Sequence, residues 1–448
     1  MTDGSLLQTP VDPAVVLLAS EARDKRLAIC AGAGISIPAG LPNGAELARK
    51  LHERFSRVRG YACATPDDLV AVADAAAALP DGLAVVQHVV LDMAPFSEAP
   101  PQLAHRLLAL LVAEDALRLL LTNWDDCVER SWREFEHIPS ACNALEAENL
   151  RGQFVLKIHG CCTQASTLLI TSEQLRDAPL WTRIHFGVEL DSSTMVFVGI
   201  GDVAGYAQQR ITQLAGLVEH ARVRVVSPDI DTSWDHSVWR DLLPDLPEAR
   251  RINISADEFL DQLAREWVMS LLGQLRAADP DAAWLGSVAD AFALFTAVQA
   301  LVWLRRAAVR WKLGNSVVRA PGAVSVLEAI ALQARDPGSA ATRPIRFLPA
   351  SAVLIDDERL EILICPERLT PSEIEELAAR RAQRVVQSLG PRDELDLLLA
   401  ASSVRGLKPD RMDAVDVLDP DAPIDDIIGG ARRVSARLTY ADDILAAA

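Results

Sequence analysis

Three features of the sequence predict an α/β fold with a mostly parallel, Rossmann-like sheet. Short apolar runs recur along residues 27–254, as expected of strands covered on both faces. Helical stretches alternate with them. A glycine-rich turn, Ala31-Gly32-Ala33-Gly34-Ile35-Ser36, follows the first run and precedes a helix, which is how a nucleotide-binding α/β unit opens.

The elements follow in order. Pro13 to Asp24 has helical spacing. Leu27 to Cys30 is the first strand, and Ala45 to Arg57 is the helix beyond the glycine turn. Residues 66–95 are Ala- and Val-rich and predict a helical insertion; residues 101–115 predict one more helix. Strands are expected at Leu117–Leu121, Phe154–Ile158, Leu168–Ile170, Met195–Val198 and Val223–Val226, with a further one at Arg251–Ile254. A helix from Ala256 to about Arg276 closes this region, and no internal repeat is visible.

From residue 277 the pattern changes, so the chain is divided into 1–276 and 277–448. The second part predicts a mixed α+β domain. A long helix is expected from Trp284 to Lys312 and a shorter one from Val324 to Arg335. Ala352–Ile355 and Leu360–Cys365 should pair as a hairpin around Asp356-Asp357-Glu358, and a helix should run from Pro371 to about Ser388.

Composition narrows the function. The chain has 448 residues, 50% of them hydrophobic and 24% charged, which suits a folded protein of two or three domains. Its 44 basic and 62 acidic residues give a net charge of −18, which argues against a general grip on nucleic acid or an anionic membrane. Ala291 to Leu304 is apolar but too short to span a bilayer. The N-terminal MTDGSLLQTP lacks the basic and apolar regions of a signal peptide, so a cytoplasmic location is expected. Seven scattered cysteines do not form a disulfide framework.

The chemistry-bearing residues sit where predicted strands end. Gly32, Ala33, Gly34 and Ser36 form the glycine turn, where backbone amides can approach a pyrophosphate. Thr122-Asn123-Trp124-Asp125 ends the second run and Lys157-Ile158-His159-Gly160 the next. Gly199-Ile200-Gly201-Asp202 ends a later one. Polar residues at the carboxyl ends of parallel strands line the ligand crevice of such a sheet. Asn123 can hold a hydroxyl or a water through its amide, and His159, with an ordinary pKa of ~6.5, can take a proton at neutral pH. Asp125 can orient its neighbours or cap the helix that follows. His105 lies on an apolar helix face and is expected to pack there. Cys161 and Cys162 are expected to be inert loop residues, and the histidines show no metal-binding spacing.

These motifs, in this order, resemble the sirtuin superfamily over roughly residues 14–275. There Asn123 and His159 match the essential pair, and Val225-Val226-Ser227-Pro228-Asp229 falls where sirtuins approach the adenosine. The resemblance departs from the deacylase members in two ways. Pro42 is followed by Asn43, Gly44 and Ala45 instead of Asp-Phe-Arg. The paired cysteines of the zinc module are missing, so no zinc is expected. The chain is similar instead to the sirtuin-like NAD glycohydrolases of bacterial antiphage defence. That resemblance implies NAD as substrate, cleavage to nicotinamide and ADP-ribose, and catalysis by Asn123, His159 and Asp125. It places NAD at Gly32, Ala33, Gly34, Ser36, Gly199 and Gly201. It also implies a homo-oligomer and an activating partner such as a HerA-type ring ATPase, a short Argonaute or a phage protein. The other readings are an NAD-dependent protein deacylase and a non-catalytic sensor of NAD or ADP-ribose. The aromatic series Trp284, Phe292, Phe295, Trp303 and Trp311, with Arg305, Arg306 and Arg310, suggests a subunit or partner interface or the core of the second domain.

Overall fold

The computed structural model describes residues 11–80, 82–132, 139–150, 154–176, 181, 193–200, 222–228, 230–234 and 238–278, then 297–298 and 301, and the backbone of six strands between 345 and 440. The chain divides into two compact units, Met1–Ser270 and Leu271–Ala448.

In the first unit, helix α1 (Pro13–Arg23) starts where the Asp12 carboxylate accepts from the Ala14 amide at 2.8 Å, with Pro13 preset for the first turn. Strand β1 (Leu27–Ala31) is buried at all five positions, which accounts for its unbroken apolar run. A 3-10 turn, Ala33–Ala39, separates it from α2 (Gly44–Phe55). Asn43 and Glu46 close α2 reciprocally: the Glu46 amide donates to Asn43 at 2.9 Å and the Asn43 amide to Glu46 at 3.1 Å.

The predicted helical insertion is two helices, α3 (Leu69–Ala77) and α4 (Gly82–Asp92). They pack with α2 around Leu51, Phe55, Val72, Val86 and Val90. Helix α5 (Leu103–Ala113) leads into β2 (Arg118–Leu121), and α6 (Cys127–Trp132) follows. Then come β3 (Ser140–Ala141), α7 (Ala144–Glu148), β4 (Val155–Lys157), α8 (Ser172–Arg176), β5 (Thr194–Val198), β6 (Val223–Val226) and β7 (Arg251–Ile252). A last helix spans Ala256–Ala278.

The seven strands form one parallel sheet in the order β3-β4-β2-β1-β5-β6-β7. This is a Rossmann-like α/β fold. From β1 the chain fills one side of the sheet with β2, β3 and β4, then crosses to β5 on the other side of β1. The strand order therefore reverses between β1 and β5, where such sheets open a crevice at their carboxyl edge.

One predicted strand is absent. At Leu168–Ile170 the outer two residues are buried, but the segment extends no ladder. Its backbone is satisfied otherwise: the Leu169 amide donates to the His159 carbonyl at 3.0 Å, and the Leu168 carbonyl accepts from Gln87 Nε2 at 2.8 Å. Ile170 packs among the insertion helices, so its apolar character reports burial and not a sheet. Conversely β3 is only two residues long, too short to show a period in the sequence.

The described strands of the second unit are β8 (Ile345–Phe347), β9 (Ala352–Ile355), β10 (Glu358–Cys365), β11 (Leu395–Ala401), β12 (Val415–Asp416) and β13 (Val434–Tyr440). They form a mixed sheet ordered β12-β13-β11-β10-β9-β8. The expected hairpin is β9 against β10, with Ile355 opposite Glu358, so only residues 356 and 357 connect them. Strands β10, β11 and β13 run parallel. Trp284, Phe292, Phe295, Trp303, Trp311, Arg305, Arg306 and Arg310 lie outside the described residues, as do the helices expected at 324–335 and 371–388. Among the described residues no helix is long and apolar enough to cross a membrane.

Candidate functional site

The carboxyl ends of β1 and β5 are locked together by backbone. The Gly32 amide donates to the Val198 carbonyl at 2.9 Å and the Gly34 amide to the Gly199 carbonyl at 2.7 Å. A Cβ on Gly34 would lie 2.6 Å from the Gly199 oxygen, and one on Gly32 would lie 2.7 Å from Ile200 Cγ1. Gly199 itself adopts φ +65°. The glycines thus let two loops touch. The amides of Gly32, Gly34 and Ile35 are all engaged within the protein, and Ala33 is the exposed tip. Gly201 and Asp202 lie outside the described residues, as does Asp229.

The adjacent strands extend their ladders by one residue. The Thr122 amide donates to the Ala31 carbonyl at 3.0 Å and the Ile158 amide to the Leu121 carbonyl at 2.9 Å. Leu121 and Lys157 are paired in the register, so Asn123 and His159 stand at equal distance beyond it, on neighbouring strands. Asn123 is 5% exposed and His159 3%.

Asn123 belongs to a closed network centred on Ser36. Asn123 Nδ2 donates to Ser36 Oγ at 2.8 Å, and Ser36 Oγ donates to Asp125 Oδ2 at 2.9 Å. His105 Nε2 lies 3.0 Å from the same oxygen. The protons in this network can be assigned. The Gln102 amide donates to His105 Nδ1 at 3.0 Å, so Nδ1 carries the lone pair and Nε2 the hydrogen. Ser36 has one hydrogen, which the Asp125 carboxylate takes. Its oxygen must therefore accept from both His105 and Asn123. Burial holds the His105 imidazole below its ordinary pKa, against the opposing pull of Asp125 and Asp257, so it stays neutral as this pattern requires.

One consequence concerns Asn123. Its amide cannot turn over without setting its oxygen against an acceptor. Nδ2 therefore faces Ser36, and Oδ1 is left buried with no partner among the described residues. Trp124 Nε1 is a second such group, on an indole packed edge-on against Phe96 at 6.0 Å.

The predicted site residues fare as follows. Asn123, Asp125 and Ser36 are in direct contact, Gly32, Gly34 and Gly199 are in backbone contact, and His159 stands at the neighbouring strand end. Besides Ser36, Asp125 serves the start of α6: its Oδ1 accepts from the Cys127 amide at 3.1 Å. His105 is not a packing residue. It is buried on an apolar helix face because it holds Ser36, from 69 residues away in sequence. Lys157 was not singled out, yet it is fully buried. Its ammonium pairs with Glu129 at 3.0 Å and donates to the Asp125 backbone carbonyl. Burial lowers the Lys157 pKa, but the opposing charge and hydrogen bond of Glu129, with the charge of Asp125, raise it on balance, while burial raises the Glu129 pKa against the pull of Lys157. A lysine inside an otherwise apolar strand is the sequence signal that could have marked it.

His105, Asp125 and Cys127 also converge as potential metal ligands. Each is engaged already: the histidine as above, and the Cys127 thiol with the Ala99 carbonyl at 3.5 Å. Burial, with the charge of Asp125, pushes the Cys127 thiol well above its ordinary pKa. These bonds make the cluster a hydrogen-bonded network.

Ser36→Ala tests this wiring. It leaves three buried polar groups, on Asn123, His105 and Asp125, without their shared partner. The expected loss of stability is about 1–3 kcal/mol for each group that cannot relax toward water. Urea unfolding checks this, and an unchanged midpoint would refute the network.

No protein-family model matches the chain, and no curated protein matches it. Among solved structures it is similar to a Sir2 homologue, a mutant in complex with ADP-ribose. The identity is 16% and the TM-score 0.34, over 57% of this chain and 96% of that one.

Proposed function

We propose that the crevice beyond β1, β2, β4 and β5 binds NAD, and that the protein is an NAD glycohydrolase. The observation that carries this reading is Asn123 Oδ1: a buried acceptor, held in one orientation, at the switch-point edge of a Rossmann-like sheet. A sugar hydroxyl or an attacking water supplies the hydrogen that this oxygen lacks. The motif order and the resemblance to sirtuin-like NAD glycohydrolases select the substrate.

In the proposed reaction the nicotinamide–ribose bond breaks and its electron pair leaves with the pyridine ring, which becomes neutral nicotinamide. A water oxygen forms the new bond to the ribose carbon. Asn123 orients the hydroxyl or water, and His159 accepts the proton that the water gives up. Ser36, His105 and Asp125 hold Asn123 in place. The exposed Ala33 tip is assigned to the pyrophosphate, together with Gly199 and, by the resemblance alone, Gly201.

The same reading includes gating. An enzyme that empties its host of NAD must be held in check, so residues 277–448 are assigned to regulation or assembly. We read the protein as a cytoplasmic homo-oligomer of bacterial antiphage defence, released by a ring ATPase, a short Argonaute or a phage protein.

Chromatography of NAD incubated with the full-length chain, with and without an acyl-lysine peptide, tests the activity. Nicotinamide and ADP-ribose should appear in equal amounts without peptide. Release only in its presence would make the protein a deacylase, and binding without release would make it a sensor.

A further inference from the structure

Lys157 holds the last paired position of β4, opposite Leu121, and is fully buried. Its ammonium donates to the Asp125 backbone carbonyl, 32 residues away in the chain, and pairs with Glu129 of α6 at 3.0 Å. Three elements therefore meet at one nitrogen. Strand β4 reaches His159 two residues after Lys157. The loop beyond β2 carries Asn123 two residues before Asp125. Helix α6 starts at Cys127, whose amide donates to Asp125 Oδ1 at 3.1 Å.

The ladder between β2 and β4 closes with the Ile158 amide on the Leu121 carbonyl at 2.9 Å. Beyond it the two segments are joined on one flank by the Cys162 amide, which donates to the Trp124 carbonyl at 2.7 Å. The Lys157 ammonium joins them from within, at Asp125. As a source of stability the ion pair is a poor device. Both charges are taken out of water, and Glu129 Oε2 has no hydrogen-bond partner among the described residues. Apolar side chains of similar volume often fill such a place equally well or better. What an ammonium supplies and a methyl group cannot is a directed donor for one carbonyl.

We infer that Lys157 is a positioning residue for the proposed NAD cleavage: its ammonium, neutralised by Glu129, fixes the Asn123–Asp125 loop against the strand end that carries His159. This inference rests on the NAD glycohydrolase reading. Lys157 is fully buried, so it acts through Asn123 and His159 and not on NAD itself. Binding of NAD draws on the glycine turn as well and tolerates a shift at this point. Attack by water does not, because a misplacement of ~1 Å costs ~10²-fold in rate.

Lys157→Met paired with Glu129→Gln removes the donor without stranding a charge. In the full-length chain this double variant should lose about 100-fold in kcat for nicotinamide release, with KM changed less than about threefold. Asparagine-selective ¹⁵N spectra should show the Asn123 side-chain amide shifted, and that of Asn43, in the cap of α2, unmoved. Glu129→Gln alone keeps the donor, since a lysine amine, charged or neutral, still offers a hydrogen to the Asp125 carbonyl. It should keep kcat within about threefold and leave the Asn123 signal in place. A double variant with the wild-type kcat, or an Asn123 amide that does not move, overturns the inference and leaves the pair a purely structural role. Where the double variant does not fold, Lys157→Met at pH 5, with Glu129 protonated, carries the same two readings against wild type at that pH. If the wild-type chain releases no nicotinamide, the reading of the crevice fails, and the Asn123 amide still decides whether Lys157 positions it.

Discussion

On the proposed NAD glycohydrolase reading, His159→Ala should lower nicotinamide release from NAD by ~10²–10⁴-fold, the range that loss of a positioned acid–base group produces. Asn123→Ala has a comparable effect for a different reason. It removes the acceptor proposed to hold the hydroxyl or water, and it leaves Ser36 with one donor fewer. The two residues stand on neighbouring strands at the same height beyond the last paired residues, which on the proposed reading sets both against one bound molecule. The double variant should therefore lose little more than the worse single one, as groups working as a unit do. Circular dichroism should report an unchanged fold for His159→Ala, because its imidazole lies beyond the ladder. Turnover near the wild-type rate in either single variant would refute the proposed mechanism.

Lys157→Met lowers the unfolding free energy by about 3–5 kcal/mol at pH 8, since it strands Glu129 in the interior and frees the carbonyl of Asp125. The loss depends on pH. Burial already raises the Glu129 pKa above its ordinary 4.5, and without the ammonium it rises further. Between that ordinary value and the raised one, the folded protein binds a proton that the unfolded chain has released. Stability therefore falls as pH rises through this window and recovers below it. Pairing the substitution with Glu129→Gln removes the slope and restores part of the stability. Urea titrations of the three variants between pH 4.5 and 8 check both points. A single variant as stable at pH 8 as at pH 5 would show that the ion pair does not carry this weight.

Most of the parallel sheet was legible because a strand buried on both faces writes its own signature. The runs around Leu27, Leu119, Leu156, Val196 and Val225 are apolar without alternation, and they are the strands. The same reasoning failed at Leu168–Ile170, where packing against the insertion helices produces an equally apolar run without a ladder. It also passed over Ser140–Ala141, which is too short to show any period. The strand-end motifs were visible for a related reason. Polar residues that interrupt apolar runs stand out in the sequence, and in a parallel sheet those interruptions gather at one edge.

What joins them was not visible. The seat of Asn123 depends on Ser36, His105 and Asp125, the last two 69 and 89 residues from Ser36 in the chain. His105 has the sequence setting of a core residue, and only the Gln102 amide and the Ser36 hydroxyl reveal its tautomer and its task. Lys157 likewise needs Glu129. By itself the sequence determined the strands, their order of chemistry and the edge where it collects, because periodicity and burial are local properties. The tertiary structure alone decided which polar groups share protons, because hydrogen bonds and buried charges are settled by neighbours that the crossover of the chain brings together.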